Sequence, residues 1–153
     1  MTALSTRKTT AYTLKQKSVM HWVKKGFSCS VEQGVLRGGR LRADVIAMNL
    51  RGELIITEIK SCRADFVSDL KWEQYIPYCD KLYMCWPKDF GIELPPGVGL
   101  LLPNRRGHLS VVKNASVNKV VGPVRKELII RMAWRAGQFN KSNTRRVRMY
   151  LET

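Results

Sequence analysis

Asp44, Glu58 and Lys60 are the residues whose types and spacing can do chemistry. They lie in a stretch where runs rich in Val, Ile and Leu flank Asn49, Arg51 and Gly52, which is the signature of two strands joined by a tight turn. A hairpin centred on Arg51 sets Asp44 opposite Glu58, with Cβ atoms roughly 5 Å apart. Like charges in that position oppose strand pairing unless positive charge lies between them. A divalent cation held by oxygen ligands, Mg²⁺ being the simplest, supplies that charge. The Ile59 carbonyl can add a ligand, and Glu32 on the preceding strand can serve as a third metal ligand or as a base. Lys60 shares a face with Glu58 and brings a mobile ammonium. Phosphodiester cleavage needs positive charge on a developing oxyanion and an activated water, and this set can provide both.

Each residue also has a purely structural reading. An aspartate in an apolar strand is most often a hydrogen-bonded edge residue, and an isolated E-x-K is usually the solvent face of a hairpin. It is the combination, with Asp44 in register with Glu58 in a basic chain, that favours a metal site. Glu32 has the alternative of an ion pair with Arg42. Lys71 and Tyr75, four residues apart on an expected helix, share a face from which they can bind the scissile phosphate. Their structural alternatives are a solvated lysine and a packed tyrosine with its hydroxyl satisfied. Asp69 is expected to pair with a nearby cation.

These residues need elements to position them. The spacing predicts a flexible basic lead-in over residues 1–9 and a helix from about Thr10 to Lys25, closed by Gly26. Lys24 and Lys25 in its last turn answer the helix dipole. A strand from Phe27 to about Val35 and a basic loop with Arg37 and Arg40 lead into the hairpin. A second helix is expected from Ala64 to about Tyr78, with Asp65 near its start and Pro77 ending or kinking it. Strands follow at Lys81–Trp86, Gly99–Leu102 and Leu109–Lys113. A last helix starts at Pro123 and stops at Gly137, with Val124, Leu128, Met132 and Ala136 on its apolar side. The domain organisation is thus a core over residues 10–121, with a helix and tail over 122–153 belonging to the same domain.

The chain of 153 residues carries a formal charge of +15, which points to a polyanionic partner. From Asn104 to Thr153 there are 12 Lys or Arg against Glu127 and Glu152, a balance of +10. Arg131 and Arg135 on the last helix, and Lys141, Arg145, Arg146 and Arg148 in the tail, form the expected DNA footprint, together with Arg37, Arg40 and Arg42. Phosphate contacts of this kind grip DNA largely without reading its sequence. Cys29, Cys62, Cys79 and Cys85 form no metal-knuckle pair, and His21 and His108 stand alone, which argues against zinc. The four cysteines could form disulfides, but the polar first ten residues read as no signal peptide, which predicts a reduced, cytoplasmic protein. The absence of an apolar run near 18 residues predicts no membrane span.

Asp44 with Glu58-Ile59-Lys60, in the order helix, strand, hairpin, helix, strand, resembles the PD-(D/E)xK nuclease superfamily. The segment Arg42 to Pro87, with Lys71-Trp72, Tyr75 and Cys79-Asp80, most resembles the MmcB-type DNA repair proteins. The resemblance implies an α/β, restriction-endonuclease-like αβββαβ core with a central mixed sheet flanked by helices. It also implies DNA cleavage in repair with Mg²⁺ or Mn²⁺, with metal at Asp44 and Glu58 and Lys60 catalytic. Lys71 and Tyr75 fall where many members carry Q-x-x-x-Y, with Lys replacing Gln here. The chain from about Pro123 lies outside the recognised segment and reads as a DNA-binding specialisation, as in a phage or mobile-element version. Two rival functions remain: a branched-DNA resolvase acting as a homodimer, and a nucleic-acid-binding module without strong cleavage.

Overall fold

The structure is a computed structural model and describes residues 3–35, 40–69 and 71–139. Its centre is one six-stranded sheet whose strands lie in chain order: β1 (Ser28–Gly34), β2 (Arg42–Met48), β3 (Leu54–Ile59), β4 (Lys81–Cys85), β5 (Gly99–Pro103) and β6 (Leu109–Lys113). The first three strands form an antiparallel meander, β3, β4 and β5 run parallel, and β6 returns antiparallel. Every residue of β3 is buried. Its near-continuous apolar run is what a central strand covered on both faces requires.

The hairpin closes as its residues predict. Val45 pairs with Thr57 and Met48 with Leu54, the register that sets Asp44 opposite Glu58. Asn49 Oδ1 accepts the amides of Arg51 and Glu53, and Gly52 takes a φ of +76° that its missing Cβ permits.

Helix α1 (Ala3–Lys24) covers one face, packing Leu14 and Trp22 on Val45, Ala47, Ile55, Tyr83 and Leu101. Trp22 Nε1 also donates to Thr57 Oγ1 at 2.9 Å, fixing the helix over β3. On the other face Leu128 and Met132 of α3 (Gly122–Phe139) pack with Ile46, Leu54, Ile56, Tyr75 and Met84. Full burial of Leu128 contributes about 2 kcal/mol to holding α3 there. Arg125 completes the attachment, with both guanidinium nitrogens on the Asp80 carboxylate at 2.7 Å. No helix among the described residues is long and apolar enough to cross a membrane.

The structure corrects four sequence expectations. Helix α1 begins at Ala3, so most of the expected lead-in over residues 1–9 is helical. Thr9 and Thr10 hydroxyls donate back to the Ser5 and Thr6 carbonyls, so both side chains are satisfied within the helix. The expected helix from Ala64 to Tyr78 is two pieces, α2 (Arg63–Val67) and a 3₁₀ helix (Trp72–Tyr78). Asp69 Oδ1 takes the Lys71 amide in a local turn, and Pro77 withholds the amide an α-helix would use. Lys71 therefore precedes the 3₁₀ helix, and the α-helical rule that placed it on one face with Tyr75 does not apply. Finally, α3 runs through Gly137 to Phe139 rather than stopping at the glycine.

Candidate active site

The carboxylates of Asp44 and Glu58 stand at the end of the β2–β3 ladder and take over its hydrogen bonds. The Asp44 amide donates to Glu58 Oε1 at 3.1 Å, and the Ile59 amide donates to Asp44 Oδ2 at 2.8 Å. Each acid is thus pinned through one oxygen by the backbone of the other strand. The second oxygens, Asp44 Oδ1 and Glu58 Oε2, face Lys15 at 3.9 Å and Lys60 at 4.0 Å. Those separations are ion-pair distances beyond hydrogen-bond reach.

Glu58 is only 5% exposed. Burial, and then the Asp44 charge, push its carboxyl up to about 8, against the Asp44 amide and Lys60, which favour the ionised form. Burial likewise raises Asp44, with the Glu32 charge adding to it, while the Ile59 amide, Lys15 and Lys60 oppose the shift. The pair is therefore short of positive charge as it stands.

Lys60 lies at the carboxyl end of β3, its amide bonded to the Cys85 carbonyl. Its ammonium is 2.6 Å from Asp69 Oδ2, so Asp69 has the cationic partner the sequence reading assigned it and positions Lys60 beside Glu58. Glu32 continues the row of acids on β1, where Val31↔Val45 and Gln33↔Ala43 set it across from Asp44. It has a φ of 50°, a backbone state that costs on the order of 1–3 kcal/mol outside glycine. Arg135 Nη1 holds its carbonyl at 2.9 Å, while its carboxylate meets Lys15 and, at 2.8 Å, Arg42 Nε. Among the described residues no three acidic, imidazole or thiol side chains converge closely enough to hold one ion. Glu32 is thus held by cations, including the Arg42 pairing that was its structural alternative.

The donor set of Asp44 and Glu58 fits a hard divalent cation. Mg²⁺ is commonly held by one or two carboxylates with water and phosphate oxygens completing the shell, and two carboxylate oxygens here lack a hydrogen-bond donor among the described residues. At Ile59 the contact seen is its amide on Asp44, so its carbonyl has no observed part in the site.

Tyr75 is buried, and its hydroxyl donates to the Arg42 carbonyl at 2.7 Å. Burial pushes its phenol up, and the nearby Glu58 and Asp44 charges add to this. It braces the strand that carries Asp44, the packed-tyrosine alternative with its hydroxyl satisfied. Lys71 is exposed and forms no ion pair with Asp44 or Glu58 among the described residues, whose lysine partners are Lys15 and Lys60. Arg40 is exposed, Arg131 pairs with Glu127 at 3.0 Å, and Arg135 is tied to Glu32. Arg37, Lys141, Arg145, Arg146 and Arg148 lie outside the described residues.

Sequence reasoning missed two features. Lys15 reaches Glu32 and Asp44 from α1, and its only trace in the sequence is its position beside the core residue Leu14. The Arg125–Asp80 clamp joins residues 45 positions apart, a separation at which no local pattern operates.

A sequence profile of the DNA repair protein MmcB-like family matches residues 2–145, taking in α3, which the sequence reading had placed outside the family segment. No curated protein matches the chain. Among solved structures, a protein of unknown function from Silicibacter pomeroyi is similar at 29% identity and a TM-score of 0.77, covering 88% of this chain and 91% of that one. With the profile spanning nearly the whole sequence, this chain belongs to the MmcB-like family of DNA repair proteins, a membership that implies interaction with DNA.

Proposed function

We propose that the protein is a metal-dependent DNA endonuclease of the PD-(D/E)xK type acting in repair. One observation carries this reading. Asp44 and Glu58 are each satisfied through a single oxygen, leaving Oδ1 and Oε2 to share a cation in place of the positive charge they lack. A bound Mg²⁺ or Mn²⁺ supplies Lewis acidity to the scissile phosphate and to an attacking water.

The chain's own residues do the rest. Asp44 and Glu58 hold the ion at the mouth of the hairpin, with the Ile59 carbonyl available as a further oxygen. Lys60, steadied by Asp69, places positive charge where the oxyanion develops and orients the water. Lys15 and Arg42 hold Glu32 beside the pair, which keeps that carboxylate from adding repulsion toward an approaching phosphate. Burial of Glu58 keeps bulk water from screening these interactions.

The test is incubation with plasmid, single-stranded, flapped and four-way-junction DNA in the presence of Mg²⁺, Mn²⁺ or EDTA. Metal-dependent cleavage that EDTA stops is the expected result. Paired incision of the junction alone would redirect the reading to a resolvase. No cleavage of any substrate, with DNA binding unaffected by Asp44→Ala, would overturn the enzyme reading in favour of a binding protein.

A further inference from the structure

The cleft between α1 and the β5–β6 hairpin is lined by Lys17, His21, Lys24, Lys25 and His108, with no carboxylate among its lining residues. Its volume is about 480 Å³. The last turn of α1 accounts for Lys24 through the helix dipole. Lys17 sits two turns earlier, half buried, with no ion pair or hydrogen bond among the described residues, its ammonium 3.6 Å from where a Cβ on Gly107 would stand. His21 Nδ1 is 3.0 Å from the Leu109 carbonyl, an acceptor only, so that nitrogen carries the proton. Its Nε2 is buried without a hydrogen-bond partner. The three lysines, gathered without acids and one of them half buried, form a place for an anion, while the neutral His21 ring lies against it.

The strand register fixes where that anion sits relative to the carboxylates. Ile59 pairs with Cys85, Cys85 with Leu101, and Leu101 with Val111. The cleft residues Leu109, Ser110 and Val111 are therefore at the same end of the sheet as Glu58. Three strand spacings, roughly 15 Å, separate them in the plane of the sheet, and they lie on opposite faces: Leu109 packs with Val45 and Ile59 under α1, whereas alternation puts Asp44 and Glu58 on the face of Ile46 and Ile56. The geometry points to this cleft as a second DNA subsite at the same end of the sheet, binding a backbone phosphate at a spacing of roughly 15 Å or more from the phosphate at Asp44 and Glu58. The spacing rests on the nuclease reading; the binding of DNA phosphate does not.

The experiment uses the full chain in EDTA, so that cleavage plays no part, with a short labelled duplex followed by anisotropy across a salt series. Replacing Lys17, Lys24 and Lys25 together by Ala is expected to weaken binding at least about tenfold near 100 mM salt and to lower the salt slope by about one, the value for one phosphate contact. Arginine at the same three positions should restore both. In the unsubstituted protein the imidazole NMR signals of His21 and His108 should move as duplex is added. An unchanged slope with unmoved imidazoles overturns the proposal. So does a protein that binds no duplex, or imidazoles that move with inorganic phosphate but not with DNA. Cleavage by a triple-alanine protein with the normal salt slope would sink the cleft alone, whereas duplex binding through the cleft without cleavage under any metal would sink the nuclease alone.

Discussion

Two buried acidic sites flank β3, and they are satisfied in opposite ways. Asp80 is 7% exposed and Glu58 is 5% exposed, so desolvation bears on both carboxylates. Asp80 accepts the Leu54 amide and a two-pronged guanidinium from Arg125. Burial alone would raise its carboxyl, but those hydrogen bonds and the Arg125 charge hold it below the usual range. Glu58 has one amide, a like charge beside it and a lysine at 4.0 Å, and it is pushed up to about 8. A carboxylate that fastens helix to sheet is given its full complement of charge by the fold. One left short of it keeps an oxygen for a partner that the chain does not provide.

The comparison is broken most severely by removing the unsatisfied acid. Glu58→Gln should lower metal-dependent DNA cleavage by about a thousandfold or more, an effect of on the order of 4 kcal/mol on the barrier. DNA affinity should hold near neutral pH without metal, where Glu58 already keeps its proton, and improve at alkaline pH, where the substitution removes a negative charge near phosphate. Cleavage kinetics alongside anisotropy separate the two effects. The satisfied acid should behave in the reverse manner. Asp80→Ala strands Arg125 and the Leu54 amide, costing about 2 kcal/mol. The corresponding loss in a chain of this size is about 6 °C in thermal midpoint. Metal affinity of the folded protein should not change.

The pH dependences differ in sign, which sharpens the contrast. Folded Glu58 keeps its proton up to about pH 8, whereas the unfolded chain releases it near 4.5. In that window the folded state binds more protons, so this group's contribution to stability falls as pH rises. Without metal, Glu58→Gln should therefore be the more stable protein at alkaline pH by about 1 kcal/mol or more, and equal to the parent below the unfolded value. Asp80 contributes stability above 3.8, its ordinary value, and loses it as pH falls through its depressed folded value. Denaturant titrations across pH resolve both slopes, and a Glu58→Gln curve parallel to the parent would contradict the assignment. The smallest effect belongs to Lys71, which is exposed and forms no ion pair with either acid among the described residues. Lys71→Ala should change cleavage by no more than about threefold, within the range of an exposed charge.

The heart of this site was legible because it is local. Asn49 and Gly52 set the turn, the turn sets the register, and the register brings Asp44 and Glu58 together. Alternation then puts Lys60 on the same face. The parts that were not legible depend on long-range packing. Lys15 reaches Asp44 only because Leu14 and Trp22 seat α1 across β2 and β3. Arg135, read as a DNA contact, is engaged by the Glu32 carbonyl 103 residues away. Lys71 and Tyr75 were misplaced for a local reason, the Asp69 turn and Pro77 that break one α-helix into two short pieces. The sheet order beyond β3 followed from apolar runs, whereas the Asp80–Arg125 clamp required the folded chain to be seen.

The most direct test of the central claim is calorimetric titration of Mn²⁺ into the protein with bound uncleaved DNA, for the parent, Asp44→Asn and Glu58→Gln, near pH 7 and near pH 9. The account predicts that the parent binds the ion more tightly at the higher pH, as Glu58 gives up its proton, and that both variants lose this binding. Equal Mn²⁺ affinity in the parent and both variants would contradict it.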